Sequence, residues 1–132
     1  MPLSDNGKSY MASVVMGESV TPFDFAHAMI GVGNSSASVL GIQADLLGGQ
    51  KFRAPMDVGY PKKDPDDPSI VIFRATFNEA DANFDWTEWG IFNSAPSTTG
   101  GLMLIRTVEF IGNKEFGSVW IFTASIKFEN NV

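Results

Sequence analysis

Few side chains in this sequence could do chemistry, and the one that stands out is Glu88. In the run Phe84-Asp85-Trp86-Thr87-Glu88-Trp89-Gly90-Ile91-Phe92-Asn93, strand alternation predicts that Glu88 shares a face with Phe84, Trp86 and Phe92. An ionised carboxylate left unpaired on such a face costs several kcal/mol, so Glu88 must give up its charge or meet an arginine. Three arginines are candidates. Arg106 alternates with Leu102, Leu104, Val108 and Phe110, Arg74 alternates with Ile70 and Ile72, and Arg53 lies in an extended run ahead of a proline-rich loop. A structural cross-strand ion pair is the expected role, because catalysis would need a second acid or a nucleophile nearby.

The remaining polar motifs are weaker. His27, in Phe25-Ala26-His27-Ala28-Met29, has no cluster of Asp, Glu or Cys at ligand spacing, and the chain has no Cys, so it reads as a satisfied core or edge histidine rather than a zinc ligand. Asp64-Pro65-Asp66-Asp67 is acidic enough for calcium, but its prolines stiffen it and the glycine of a calcium loop is missing. Gly31-Val32-Gly33 lacks the third glycine of a dinucleotide fingerprint, and Gly7-Lys8-Ser9 lacks the first glycine of a phosphate loop. No catalytic, cofactor or metal residue is therefore expected. Trp89, on the face opposite Trp86, reads as an interface anchor. Tyr60, Pro61, Asp64, Pro65 and Pro68 of the exposed linker, together with both chain ends, are the other contact candidates.

These residues must be positioned by one domain, since 132 residues with 44% hydrophobic and 18% charged content match a single packed core. Nine basic against fifteen acidic residues, a net charge of −6, has the wrong sign for nucleic acid. Charged residues and glycine interrupt every apolar run well short of a membrane span, and Met1-Pro2-Leu3-Ser4-Asp5 lacks the features of a secretory signal, so cytoplasmic synthesis is expected. Ser4 or Asp5 as N-cap and Gly17 beyond the end predict a helix over about residues 6–16. A strand is expected over 23–32, a turn of helix over 42–47, and an extended segment over 51–58. Strand patterns follow over 69–77, 84–92, 102–110 and 117–128. In the last, Trp120, Phe122, Ala124, Ile126 and Phe128 form the core face. The expected class is mainly β, an antiparallel β-sandwich or meander with a short N-terminal helix and a β body over about residues 23–128.

Five segments in order carry a resemblance: Phe25 to Gly33 with its Gly-Val-Gly-Asn-Ser-Ser turn, Leu46 to Arg53, Ile70 to Phe77, Glu88-Trp89-Gly90-Ile91-Phe92, and Gly101 to Arg106. Over about Phe23 to Phe128 the chain resembles the N-terminal attachment domain of bacteriophage tail-collar fibre proteins. That resemblance implies a non-enzymatic virion structural protein, present as a homo-oligomer or in many symmetric copies and docking to other virion proteins in a tail, baseplate or neck. Members of the family usually continue into a long shaft, whereas here Glu129-Asn130-Asn131-Val132 follows the last strand, so no receptor-binding region is expected. The alternatives are a capsid decoration protein and, from another class, a small carbohydrate-binding module using exposed aromatics.

Overall fold

A computed structural model describes residues 3–129; the contact candidates at the two extreme ends fall outside them. Ser4 caps helix α1 (Asp5–Val15), its hydroxyl accepting from the Gly7 amide, and Gly17 follows with φ 74°, the left-handed position a glycine fills most easily. Gly7 lets α1 approach the sheet beneath, since a Cβ there would stand 2.4 Å from the Leu104 carbonyl oxygen.

Seven strands follow: β1 (Met29–Gly33), β2 (Lys51–Pro55), β3 (Lys62–Lys63), β4 (Ile70–Phe77), β5 (Asp85–Phe92), β6 (Met103–Asn113) and β7 (Trp120–Lys127). They form two antiparallel sheets, in the orders β2-β1-β5-β6 and β3-β4-β7. The mainly β class expected is the one found. Consecutive strands of the C-terminal half pair only as β5 with β6; β7 crosses to β4, so the half is shared between the sheets. The inner faces meet in one core containing Ile30, Val32, Ala54, Phe73, Phe77, Trp86, Trp89, Ile91, Ile105, Ala124 and Ile126. Edge-to-face contacts of Trp86 with Phe77 at 4.6 Å and with Trp120 at 4.9 Å bind the sheets at one end. The alternation read for β7 holds, with Ile121, Thr123, Ser125 and Lys127 outward.

Two expected elements differ. Residues 24–27 form a turn, because the Asp24 carboxylate accepts from the His27 amide and the Asp24 carbonyl accepts from the Ala28 amide; β1 starts only at Met29. No helix forms over 42–47. The Leu47 and Gly48 amides there donate to the Glu88 carboxylate, which withdraws them from any i to i−4 ladder. Residues 34–50 instead form a long loop whose neck is closed by reciprocal bonds between Asn34 and Gln50.

Candidate functional site

The sequence around Glu88 does not alternate strictly. The pairing of β5 with β6 shifts between Trp86 and Glu88, where a two-residue step along β5 faces a four-residue step along β6, from Gly112 to Val108, an irregularity that breaks the alternation of faces along β5. Trp86 and Trp89 therefore both point into the core, and Glu88 turns to the outer face of its sheet together with Phe92. The expected common face of Glu88 and Trp86 is thus corrected, and so is the expected exposure of Trp89, which is 3% accessible and donates its indole N–H to Glu109 at 3.0 Å. Leu104 joins the core while Arg106 faces outward, following the second shift, between Ile91 and Phe92.

On that outer face the register sets Arg53 opposite Gly31, Gly31 opposite Gly90, and Gly90 opposite Arg106. The glycines make a bare floor. A Cβ on Gly31 would lie 2.6 Å from the Phe92 ring, and one on Gly33 would lie 2.4 Å from Glu88 Oε2. Glu88, 0% accessible, lies on this floor and accepts four hydrogen bonds. Arg106 Nε (2.8 Å) and the Leu47 amide (2.9 Å) reach Oε1, and the Gly48 (2.7 Å) and Ser35 (3.1 Å) amides reach Oε2. Arg106 Nη1 donates to the Ala37 carbonyl at 3.0 Å and to Gln43 Oε1 at 3.2 Å. Glu88 and Arg106 together clasp the 34–50 loop onto the sheet. Charge pairing with every carboxylate oxygen hydrogen-bonded is what makes such a burial tolerable.

Arg53 takes no part in that pair. Its guanidinium stacks 3.6 Å above the Phe92 ring and donates to Ser94, to the Gly100 carbonyl and to Asp45. Asp45, on the same loop, also meets Lys51 at 2.8 Å. Burial pushes its carboxyl up, but hydrogen bonds from Lys51, the Leu46 amide and Arg53 outweigh that and hold it below the ordinary aspartate value. Arg74 lies elsewhere, paired with Asp57 at 2.9 Å and stacked on Tyr60.

The other candidates are dispersed. Tyr60 and Pro61 are half-buried and lead into β3, the short edge strand of the second sheet. Asp64 accepts from the Asp66 and Asp67 amides, and Asp67 accepts from Ser69, whose hydrogen bonds lower its pKa. Those carboxylates are engaged in closing the turn, with Pro65 and Pro68 exposed beside them. Because Trp89 is in the core, it forms no common surface with this loop. His27 sits on its turn, not in a strand, with Nδ1 2.6 Å from Asp24; this hydrogen bond lowers the Asp24 pKa. Among the described residues, no group of three or more His, Cys, Asp and Glu side chains could hold a metal ion.

No family model, curated protein or solved structure matches this chain. The fold does bring residues far apart in sequence onto one face. Gly31 and Gly33, Arg53, the Glu88-x-Gly90-x-Phe92 triplet and Arg106 occupy one continuous outer face. The sequence pointed to Glu88 with one of Arg106, Arg74 and Arg53, of which Arg106 is the partner, but not to the loop that the pair holds. The signal was present in the spacing of Gly31 and Gly33, which bares one face of β1, and in Gly90 opposite Gly31.

The clasped loop presents apolar side chains outward. Ile42 is 80% and Leu40 56% accessible, and Val39 and Leu47 are exposed beside them. Backbone held by buried charges carries unburied hydrophobic side chains, a combination suited to contact with another protein surface.

Proposed function

We propose that this protein is a non-enzymatic virion structural protein, an attachment or adaptor subunit of a phage tail, baseplate or neck. The observation that carries the reading is the Glu88–Arg106 clasp, which fixes the 34–50 loop and leaves Val39, Leu40, Ile42 and Leu47 in solvent. Loops longer than about 12–15 residues without regular structure are usually functional in compact domains. Here two buried charges are committed to holding such a loop in place. The segments read as resembling phage-fibre attachment domains also supply the residues of that clasp. Docking runs through the loop's apolar tip rather than through Trp89.

An adaptor of this kind is a resident of the particle. Mass spectrometry of density-purified particles from a lysate of the producing phage should find the chain at a small fraction of the major capsid protein. Its absence from particles would overturn the reading. Amounts near one copy per capsid subunit would overturn the tail position and favour capsid decoration.

A further inference from the structure

The two sheets end in the edge strands β2, β6, β3 and β7, and the first three are protected. β3 is two residues long and both are lysines, and β2 is short and runs out at Pro55. β6 begins against α1, with the Ser4 amide on the Leu104 carbonyl and the Ser4 hydroxyl on that of Met103, and its pairing shifts twice. Short length, lysine, proline, bulges and a covering helix are the usual protections of a sheet edge. β7 has none of them. It pairs with β4 through all of its residues without a shift, contains no proline and carries no charge before Lys127 at its end. The Phe128 amide donates to the Ser69 carbonyl at 3.0 Å, continuing the same register. Alternation along the ladder then turns the backbone N–H and C=O groups of Ile121, Thr123, Ser125 and Lys127 away from β4, and no strand meets that side among the described residues. All four residues are exposed. On the inner face of this edge Trp120 and Phe122 are only half-buried, although both pack on Trp86 and Phe122 also packs on Trp89.

We propose that the β7 edge is a self-association surface, on which β7 of a second copy of this chain pairs antiparallel about a two-fold axis at Thr123. The edge is complementary to its own reverse. Thr123 faces Thr123, Ile121 faces Ser125, and Lys127 reaches Val119 just before the strand, so the free N–H and C=O groups of one copy meet those of the other and no like charges stand opposite. On the inner face Phe122 falls opposite Ala124, a large ring against a small side chain, and the added strand covers the half-exposed ring. Such a contact uses one patch for both sides and closes at two copies, giving a continuous sheet in the order β3-β4-β7-β7-β4-β3. The inference makes no use of the 34–50 loop and stands or falls apart from the attachment reading.

The test is sedimentation velocity of the full chain at concentrations up to about 1 mM, the weak limit for a specific pair, where a monomer–dimer equilibrium is expected. Thr123→Lys sets two like charges on the axis at an exposed position, and should be monomeric over the same range while keeping the far-ultraviolet circular dichroism of wild type. The chain has no cysteine, so a single one reports the register. Thr123→Cys places two sulfurs across a hydrogen-bonded pair whose Cα atoms stand about 5.5 Å apart, within disulfide reach, and should cross-link on mild oxidation. Ser125→Cys should not, since its counterpart lies about 13 Å away along the strand. Wild type that stays monomeric throughout would overturn the proposal, as would a dimer that survives Thr123→Lys unchanged. Equal cross-linking at positions 123 and 125, or assemblies that grow beyond two copies, would overturn it too.

Discussion

Glu88 is the residue on which most of the outer face depends, because four donors from three parts of the chain converge on its carboxylate. Removing it strands Arg106 in a dry site, so Glu88→Ala should cost about 3–5 kcal/mol in denaturant unfolding; a loss under ~1 kcal/mol would mean the clasp holds nothing. Trp89→Ala should now cost about 3–5 kcal/mol as well, as a cavity in the core rather than a silent surface change. Asp45 gives the clasp a pH dependence. Its folded pKa lies below the unfolded value, so its contribution is complete above about pH 4 and fades as pH falls through the folded value. Asp45→Asn should therefore lower stability near neutrality and shrink the further loss on acidification below about pH 4, read by urea unfolding at several pH values. An unchanged acid limb would remove Asp45 from the account. The need for a Glu88–arginine pair was legible in the sequence, since an aromatic neighbourhood and a scarcity of cations leave few solutions. Which face the pair occupies was not, because an irregularity in strand pairing leaves no mark in the pattern of residue types.

At the scale of elements, the strands were legible because most have one buried face and alternate accordingly, as in β7. β1 is buried throughout, and a run without alternation cannot announce where it begins; the Asp24 turn, made by one side chain, decided that instead. The 34–50 loop was read partly as helix because its apolar residues are closely spaced. Its conformation is imposed from outside by the Glu88 carboxylate and Arg106, tertiary bonds to residues distant in sequence. The glycine floor makes a sharp test. Gly33→Ala would drive a methyl group into a carboxylate fixed by four donors and should cost about 1–3 kcal/mol. Gly49→Ala, whose Cβ would meet nothing within 4 Å, should stay within about 0.5 kcal/mol of wild type. Equal effects at the two positions, measured by thermal or denaturant unfolding, would show that Glu88 is free to move.

At the scale of the molecule, a two-sheet sandwich carries one outward-facing apolar loop held by buried charges, and the proposed role of that loop is to dock the protein into a virion. The decisive measurement is a competition: a host supplying equal amounts of wild type and a Leu40→Asp, Ile42→Asp double variant during phage assembly, with the ratio of the two chains read by mass spectrometry in purified particles. Both substitutions fall on exposed side chains, so the variant should melt with wild type while being depleted about tenfold or more from particles, the equivalent of about 1.4 kcal/mol of lost contact. Equal incorporation of a normally folded variant would contradict the claim.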